Sequence, residues 1–485
     1  MYYKIAPILH VLSKLAALYA VLMLVPTAVS YLFHDSTFHA FAGTSLITLA
    51  GSVAVWAATR HHRRELRARD GFTLVFLLWL GFAAISALPF YFYFPNAGYT
   101  DAFFEAMSGL TTTGATVISS LDTLAPSLNF WRHMMNWFGG MGIIVLAVAI
   151  LPMLGVGGIQ LFKAEIPGID KDSKMAPRIS QTAKRLWLVY LGFTLLTCAA
   201  LKWAGMGWFD AVCHAMSAFS LGGFSTHDAS IAFYKSPAIE AVIAAATLFG
   251  AFNFANHFAM AREKSLRPYW RDEEARVMLI VLFASIAAAA LYLWQQGYYP
   301  FADALRYAGF NFISIGLANG FANADFARWP LLVTLWMFFL SNVLANTGSM
   351  GGGIKMARAL VLAKFSLREV SLLLHPNAVR TVKLNKRSVS ERTAMAVMAF
   401  IFVYFMTVVI FTLGLMAGGM DFVTALSATV ACITNAGPGL GSVGPGDNYA
   451  ALTDLQKWMC CAVMLLGRLE IFTVFILFTP DYWKK

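Results

Sequence analysis

Phe104-Glu105-Ala106-Met107-Ser108-Gly109-Leu110-Thr111-Thr112-Thr113-Gly114 lies over Cys213-His214-Ala215-Met216-Ser217-Ala218-Phe219-Ser220-Leu221-Gly222-Gly223 in one frame. Ala-Met-Ser falls on Ala-Met-Ser, and Gly114 falls on Gly223. Residues 311–320 and 428–437 fit the same frame. Each segment reads as a short apolar helix ending in a glycine turn, set between two long hydrophobic stretches. Four such units in one chain can close a ring around a single axis. Four glycine turns facing that axis inside a membrane are what an ion filter needs.

Working outward, hydrophobic residues make up 59% of the chain and charged residues 13%, against roughly 25% charged in an average soluble domain. The expected class is an all-α polytopic membrane protein. A spanning helix needs about 20 mostly apolar residues, and ten spans are expected near 8–32, 38–59, 72–95, 130–155, 186–205, 238–261, 277–297, 330–360, 393–418 and 456–480. The first is too long for a removable leader and is read as retained. The short helices, near 101–112, 209–220, 302–315 and 421–433, cannot cross and fit re-entrant segments. Residues 1–70 form a two-span hairpin without a glycine turn. Four pseudo-symmetric span–pore-helix–span repeats follow around one central pore, over 71–180, 181–274, 275–388 and 389–485.

The net charge of +11 sits largely in loops at 60–69, 163–185, 262–276 and 355–392. Basic loops stay cytoplasmic, which puts both termini inside and argues against a nucleic-acid partner. The opposite loops carry ten aspartates, from Asp35 to Asp454. They either raise the cation concentration at a pore mouth or only balance the inside-positive bias. The five cysteines have no metal-ligand spacing and suggest no disulfide framework. His61 and His62 sit in a basic loop, and His214 and His227 flank the second turn without a metal pattern. No metalloprotease, P-loop or dinucleotide motif occurs, and no enzyme is expected.

A filter replaces a cation's water with oxygen ligands, and backbone carbonyls do this without a full charge that would trap the ion. Glycine reaches the backbone angles that aim successive carbonyls at least steric cost. The candidate ligands are Thr112, Thr113 and Gly114, then Leu221, Gly222 and Gly223, then Asn319 and Gly320, and last Asn435, Ala436 and Gly437. One such turn is as readily a packing contact; four in register after four short helices favour the filter. The helix C-termini pointing at the axis also favour a cation.

The span near 330–360 is interrupted by Leu344-Ala345-Asn346-Thr347-Gly348-Ser349-Met350-Gly351-Gly352-Gly353. Gly348, Gly351, Gly352 and Gly353 each cost a helix about 1 kcal/mol relative to alanine. A broken helix at this depth marks an ion pathway, so the segment reads as a mobile gating loop, with a packing kink as the alternative. Arg468 lies deep in the last span, where charge is costly and faces the interior. It either stands in the pore as a barrier to cations or is held by loop carbonyls or a carboxylate as a structural group. Glu470, two residues on, is not on the same helix face. Lys355 either contacts the pore or snorkels to the cytoplasmic surface.

These residues carry a family resemblance. TTTGAT at 111–116, NWFGGMGIIVLAVAILPMLGVGG at 136–158, GGFSTHDASI at 222–231, YWRD at 269–272, GGGIK at 351–355, HPNAV at 375–379, NAGPGLG at 435–441 and GRLE at 467–470 resemble TrkH-type potassium-translocating subunits of the TrkH/KtrB superfamily, over nearly the whole chain. The resemblance implies a pseudo-four-fold pore for potassium ion within one subunit and a homodimer in the lipid of the bacterial inner membrane. It also implies a cytoplasmic ring of nucleotide-binding regulatory subunits, and it makes the 346–353 loop and Arg468 the gate. The chain departs from the pattern at Met350, where relatives often carry threonine, and at Ala318 and Asn319, where a threonine-rich turn is usual. The expected activity is K⁺ uptake through a gated, channel-like pore. Its alternatives are a Na⁺- or H⁺-coupled symporter and a weakly selective monovalent cation channel.

Overall fold

The computed structural model describes residues 2–62, 66–94, 98–145 and 175–484. The far end of the span expected at 130–155 and the basic residues at 163–174 lie outside these. Among the described residues, six helices are long and apolar enough to cross a membrane: Ile5–Phe33, Phe38–Thr59, Arg69–Tyr93, Arg185–Trp203, Glu273–Gln295 and Glu391–Ala417. Several start on capping side chains. Asp272 accepts from Glu274 N–H and Ser390 from Thr393 N–H, each satisfying a donor that the first turn leaves free. Leu46, Val53, Ile280, Phe402 and Ile410 face outward and exposed, as suits a protein solvated by lipid.

Between the crossings sit the short helices Tyr99–Leu110, Trp208–Phe219, Phe301–Gly316 and Phe422–Thr434, each within two residues of its expected place. Each packs on both long elements of its own repeat. Each also packs on the second helix of the repeat before it. Trp208–Phe219 meets Pro126–Val145, Phe301–Gly316 meets Pro237–Ala251, and Phe422–Thr434 meets Leu331–Ser341. Tyr99–Leu110 meets Asp454–Leu469, so the last repeat receives the first and the ring closes. The N-terminal hairpin stands outside, against Ala68–Tyr93 and Pro126–Val145. Among the described residues, the only departure from an all-helical fold is a ribbon pairing Lys383 with Ser388 and Leu384 with Arg387.

Two expected spans need correction. The stretch near 238–261 is two helices, Pro237–Ala251 and Phe254–Glu263, meeting at 100°. Phe252 is extended at ψ 158, and Asn253 Oδ1 accepts from Ala255 N–H at 2.8 Å, which starts a new helix in a new direction. The stretch near 456–480 bends by 109° between Asp454–Leu469 and Ile471–Phe478, at Glu470 with φ 61. The 330–360 span is interrupted as expected but more widely, because its helix stops at Ser341 and resumes at Met356.

Candidate functional site

The four short helices end alike. Thr112, Leu221, Ala318 and Asn435 take φ of 53, 56, 59 and 56. The N–H of the next residue then reaches back five positions, from Thr113 to Ser108, Gly222 to Ser217, Asn319 to Ser314 and Ala436 to Ala431, at 2.7–2.8 Å. This is the Schellman closure, which usually places glycine at the left-handed residue. Here that position is never glycine, at a cost of order 1 kcal/mol each. Glycine comes two places later, at Gly114, Gly223, Gly320 and Gly437, with φ of 81, 68, 103 and 83.

Left-handed angles are only half the reason for those glycines. A β-carbon on Gly114 would come within 2.6 Å of the Gly222 oxygen, and one on Gly223 would meet the Asn319 oxygen as closely. The same holds for Gly320 against Ala436 and for Gly437 against Thr113. Each oxygen belongs to the residue before the next repeat's glycine. The four turns touch in a closed cycle with no room for a side chain between them. A cavity opens on one face of this ring, with Gly114, Gly223, Gly320 and Pro438 among its lining and with Arg132, His227, Asp228 and Asp447 also around it.

Polar side chains brace the turns from behind. Asn435 Nδ2 donates to Thr113 Oγ1 at 2.9 Å and to the Met464 carbonyl at 3.1 Å. Asn319 Nδ2 donates to Thr247 Oγ1 and, at 3.3 Å, to the Ala218 carbonyl, so this amide ties the third turn to the second repeat. Behind Gly222, the side chain of Asn136 occupies the space a β-carbon would need. The quadrants are not identical, for the Gly437 carbonyl alone accepts from a tyrosine, Tyr449 Oη, at 2.8 Å.

The interrupting loop lies against the ring. A β-carbon on Gly352 would strike the Thr434 carbonyl, and one on Gly351 would meet Ala345 at 2.6 Å. Gly348 and Gly353 have φ of 76 and 83. The loop is tied to the bend in the second repeat: Asn346 N–H donates to the Ala251 carbonyl at 3.1 Å, and Phe254 N–H to the Gly348 carbonyl at 3.1 Å. Glu274 accepts from Thr347 N–H at 2.9 Å. Arg468, 2% exposed, donates from Nη1 to the Met350 carbonyl and from Nη2 to the Gly139 carbonyl, each at 2.8 Å. It thus joins the loop to the first repeat. Glu470 pairs with Arg358 at 2.9 Å. Lys355 does not snorkel. Its Nζ folds back to the Gly351 and Ser349 carbonyls at 2.5 and 3.1 Å.

Seven of the ten aspartates opposite the basic loops are engaged in structural bonds. Asp101 pairs with Lys457, Asp122 and Asp210 with His227, and Asp325 with Arg328. Asp35, Asp228 and Asp421 accept from the backbone N–H groups of Ser127, Leu121 and Thr424. Sequence reasoning passed over Glu105, Arg132, Glu240 and Glu274, all charged and buried. The rule that singled out Arg468, that charge inside a membrane protein faces a purpose, applies equally to them.

A cycle of four unlike turns, closed within one membrane-embedded chain, defines a single-chain pore protein with four quadrants. The family model described as TrkH, cation transport protein, matches residues 37–485. The chain belongs to the TrkH family. It is 43% identical to the Trk system potassium uptake protein TrkH of Salmonella typhimurium and 42% identical to that of Escherichia coli, each over 99% of both chains. It is also similar to a crystal structure of the potassium transporter TrkH from Vibrio parahaemolyticus, with a TM-score of 0.91 and 40% identity across 100% of both chains.

Proposed function

We propose that this chain takes up K⁺ through the ring of turns, with the carbonyls around Gly114, Gly223, Gly320 and Gly437 as ligands. The observation that carries this reading is the closed cycle of backbone contacts, because glycines with no room for a side chain where the turns meet favour main-chain oxygen as the group that meets an ion. The cavity beside the ring is the outer mouth, and the basic loops and both termini are cytoplasmic. The loop at 346–353 closes the inner side, and Arg468 latches it while keeping a positive charge in the cation's path. A homodimer in the bacterial inner membrane, regulated by a cytoplasmic nucleotide-binding ring, is part of this proposal, as are the repeat limits at 71, 181, 275 and 389. The potassium named for the relatives supports the choice of ion. The test is growth at low K⁺ of a bacterium lacking its own K⁺ uptake, carrying this chain with a matching regulatory subunit. Growth is expected, and its absence with verified membrane expression would overturn the proposal.

A further inference from the structure

Each short helix also holds the strand that leaves its own turn. Nine positions before the glycine stand Glu105, His214 and Asn311, and ten before Gly437 stands Ser427. Glu105 accepts from Thr116 Oγ1 at 2.9 Å and from Val117 N–H at 3.0 Å. His214 Nε2 bonds Ser225 Oγ at 3.0 Å. Asn311 Nδ2 donates to Asn323 Oδ1 at 2.7 Å, and Ser427 Oγ accepts from Leu440 N–H at 2.8 Å. The position recurs in three quadrants and shifts by one residue in the fourth, and the chemistry differs in each.

The first of these straps reaches beyond its own repeat. Arg132, fully buried, donates from Nε to Glu105 at 2.7 Å and from Nη2 to Thr116 Oγ1 at 3.3 Å. Its Nη1 donates to the Ser225 carbonyl at 3.0 Å, and its guanidinium lies 4.1 Å from the centre of the Phe224 ring. Thr116 stands two residues past Gly114, and Ser225 two past Gly223. One rigid fork therefore holds the strands leaving two adjacent turns. A buried ion pair is weak evidence of a stabilising role, since apolar residues can often replace one without loss.

We propose that Glu105 and Arg132 are positioning residues that set the K⁺:Na⁺ preference by fixing the spacing of the first and second turns. The proposal rests on reading the turns as the filter. A ring separates ions by fit only as far as its oxygens are held in place, and lysine in place of Arg132 would keep the charge but lose the planar fork. The test uses the full-length protein in liposomes and reads the ratio of K⁺ to Na⁺ uptake, which does not depend on how much protein inserts. Arg132→Lys is one variant. Thr116→Val is a second, milder one that leaves the ion pair intact, and Gly114→Ser reports on the ring itself. A severalfold fall in the ratio is expected for all three. If Gly114→Ser lowers it while Arg132→Lys and Thr116→Val leave it at the wild-type value, the positioning role is overturned and the filter reading stands. If Gly114→Ser also leaves it unchanged, the ring is not the filter and both ideas fall.

Discussion

A β-carbon has no rotamer to escape into. Its place is fixed by the backbone, so serine at Gly114 or Gly437 must push against the oxygen of Gly222 or Thr113. Either change is expected to lower the K⁺:Na⁺ permeability ratio read from bi-ionic reversal potentials, and an unchanged ratio in both would reduce the turns to packing features. A second residue-level expectation concerns His227, stacked on Phe233 at 3.5 Å and beside Tyr234. It bridges Asp122 and Asp210. Burial works against its charged form, but the Asp210 and Asp122 carboxylates outweigh this and raise its pKa above the usual imidazole value. The hydrogen bond to His227 in turn holds Asp122 below the usual carboxylate value. A histidine with a raised folded pKa stabilises fully below its unfolded value of about 6.5 and loses that contribution as pH climbs through the folded value. The difference in Tm between wild type and His227→Ala should therefore be largest in acid and shrink as pH rises. A difference independent of pH would mean the ring stacks without titrating. At this scale the glycines were readable because their rule is local. The role of Asn319 was not, because it depends on Thr247, a residue 72 positions away.

Helices carry the next level, and here hydropathy gave place but neither direction nor number: ten spans are expected, whereas six described helices qualify, or eight if each bent pair is one span. An apolar window averages over its residues, whereas the 100° and 109° bends are decided by one capping asparagine and one left-handed glutamate. Packing between elements is likewise invisible to composition. Gly139, Gly250 and Gly467 each let a second helix approach a carbonyl at the end of a pore helix, at Leu110, Phe219 and Ile433. The third repeat differs, for a β-carbon on Gly316 would make only ordinary contact, 3.4 Å from the Leu344 side chain. The loop between Ser341 and Met356 is the element with a predicted moving part. Deleting 348–353 should raise basal ion flux through the purified protein. Arg468→Ala should raise it too, by freeing the Met350 and Gly139 carbonyls. Folded deletion protein that conducts less than wild type would make the loop a support for the pore and not its closure.

For the molecule as a whole, the four-fold repeat was legible from the frame of four glycine segments, but the way the last unit meets the first was not. That seam includes Lys457, whose side chain is 7% exposed, paired with Asp101 at 2.6 Å. Asp101 is partly solvated, which discounts the pair, so Lys457→Met is expected to destabilise by about 1–3 kcal/mol, measured as thermal unfolding in detergent. Stability equal to wild type would show that helix packing alone closes the ring. Joining four quadrants in one polypeptide also changes what a single mutation can do. In an assembly of four identical chains, any substitution at the axis is installed four times at once. Here each corner is encoded separately, so a lineage can alter the ring in quarter steps, testing one corner while three remain intact. Tyr449 at one carbonyl, a threonine run at another corner and an asparagine brace at a third are the kind of divergence that such graded inheritance permits.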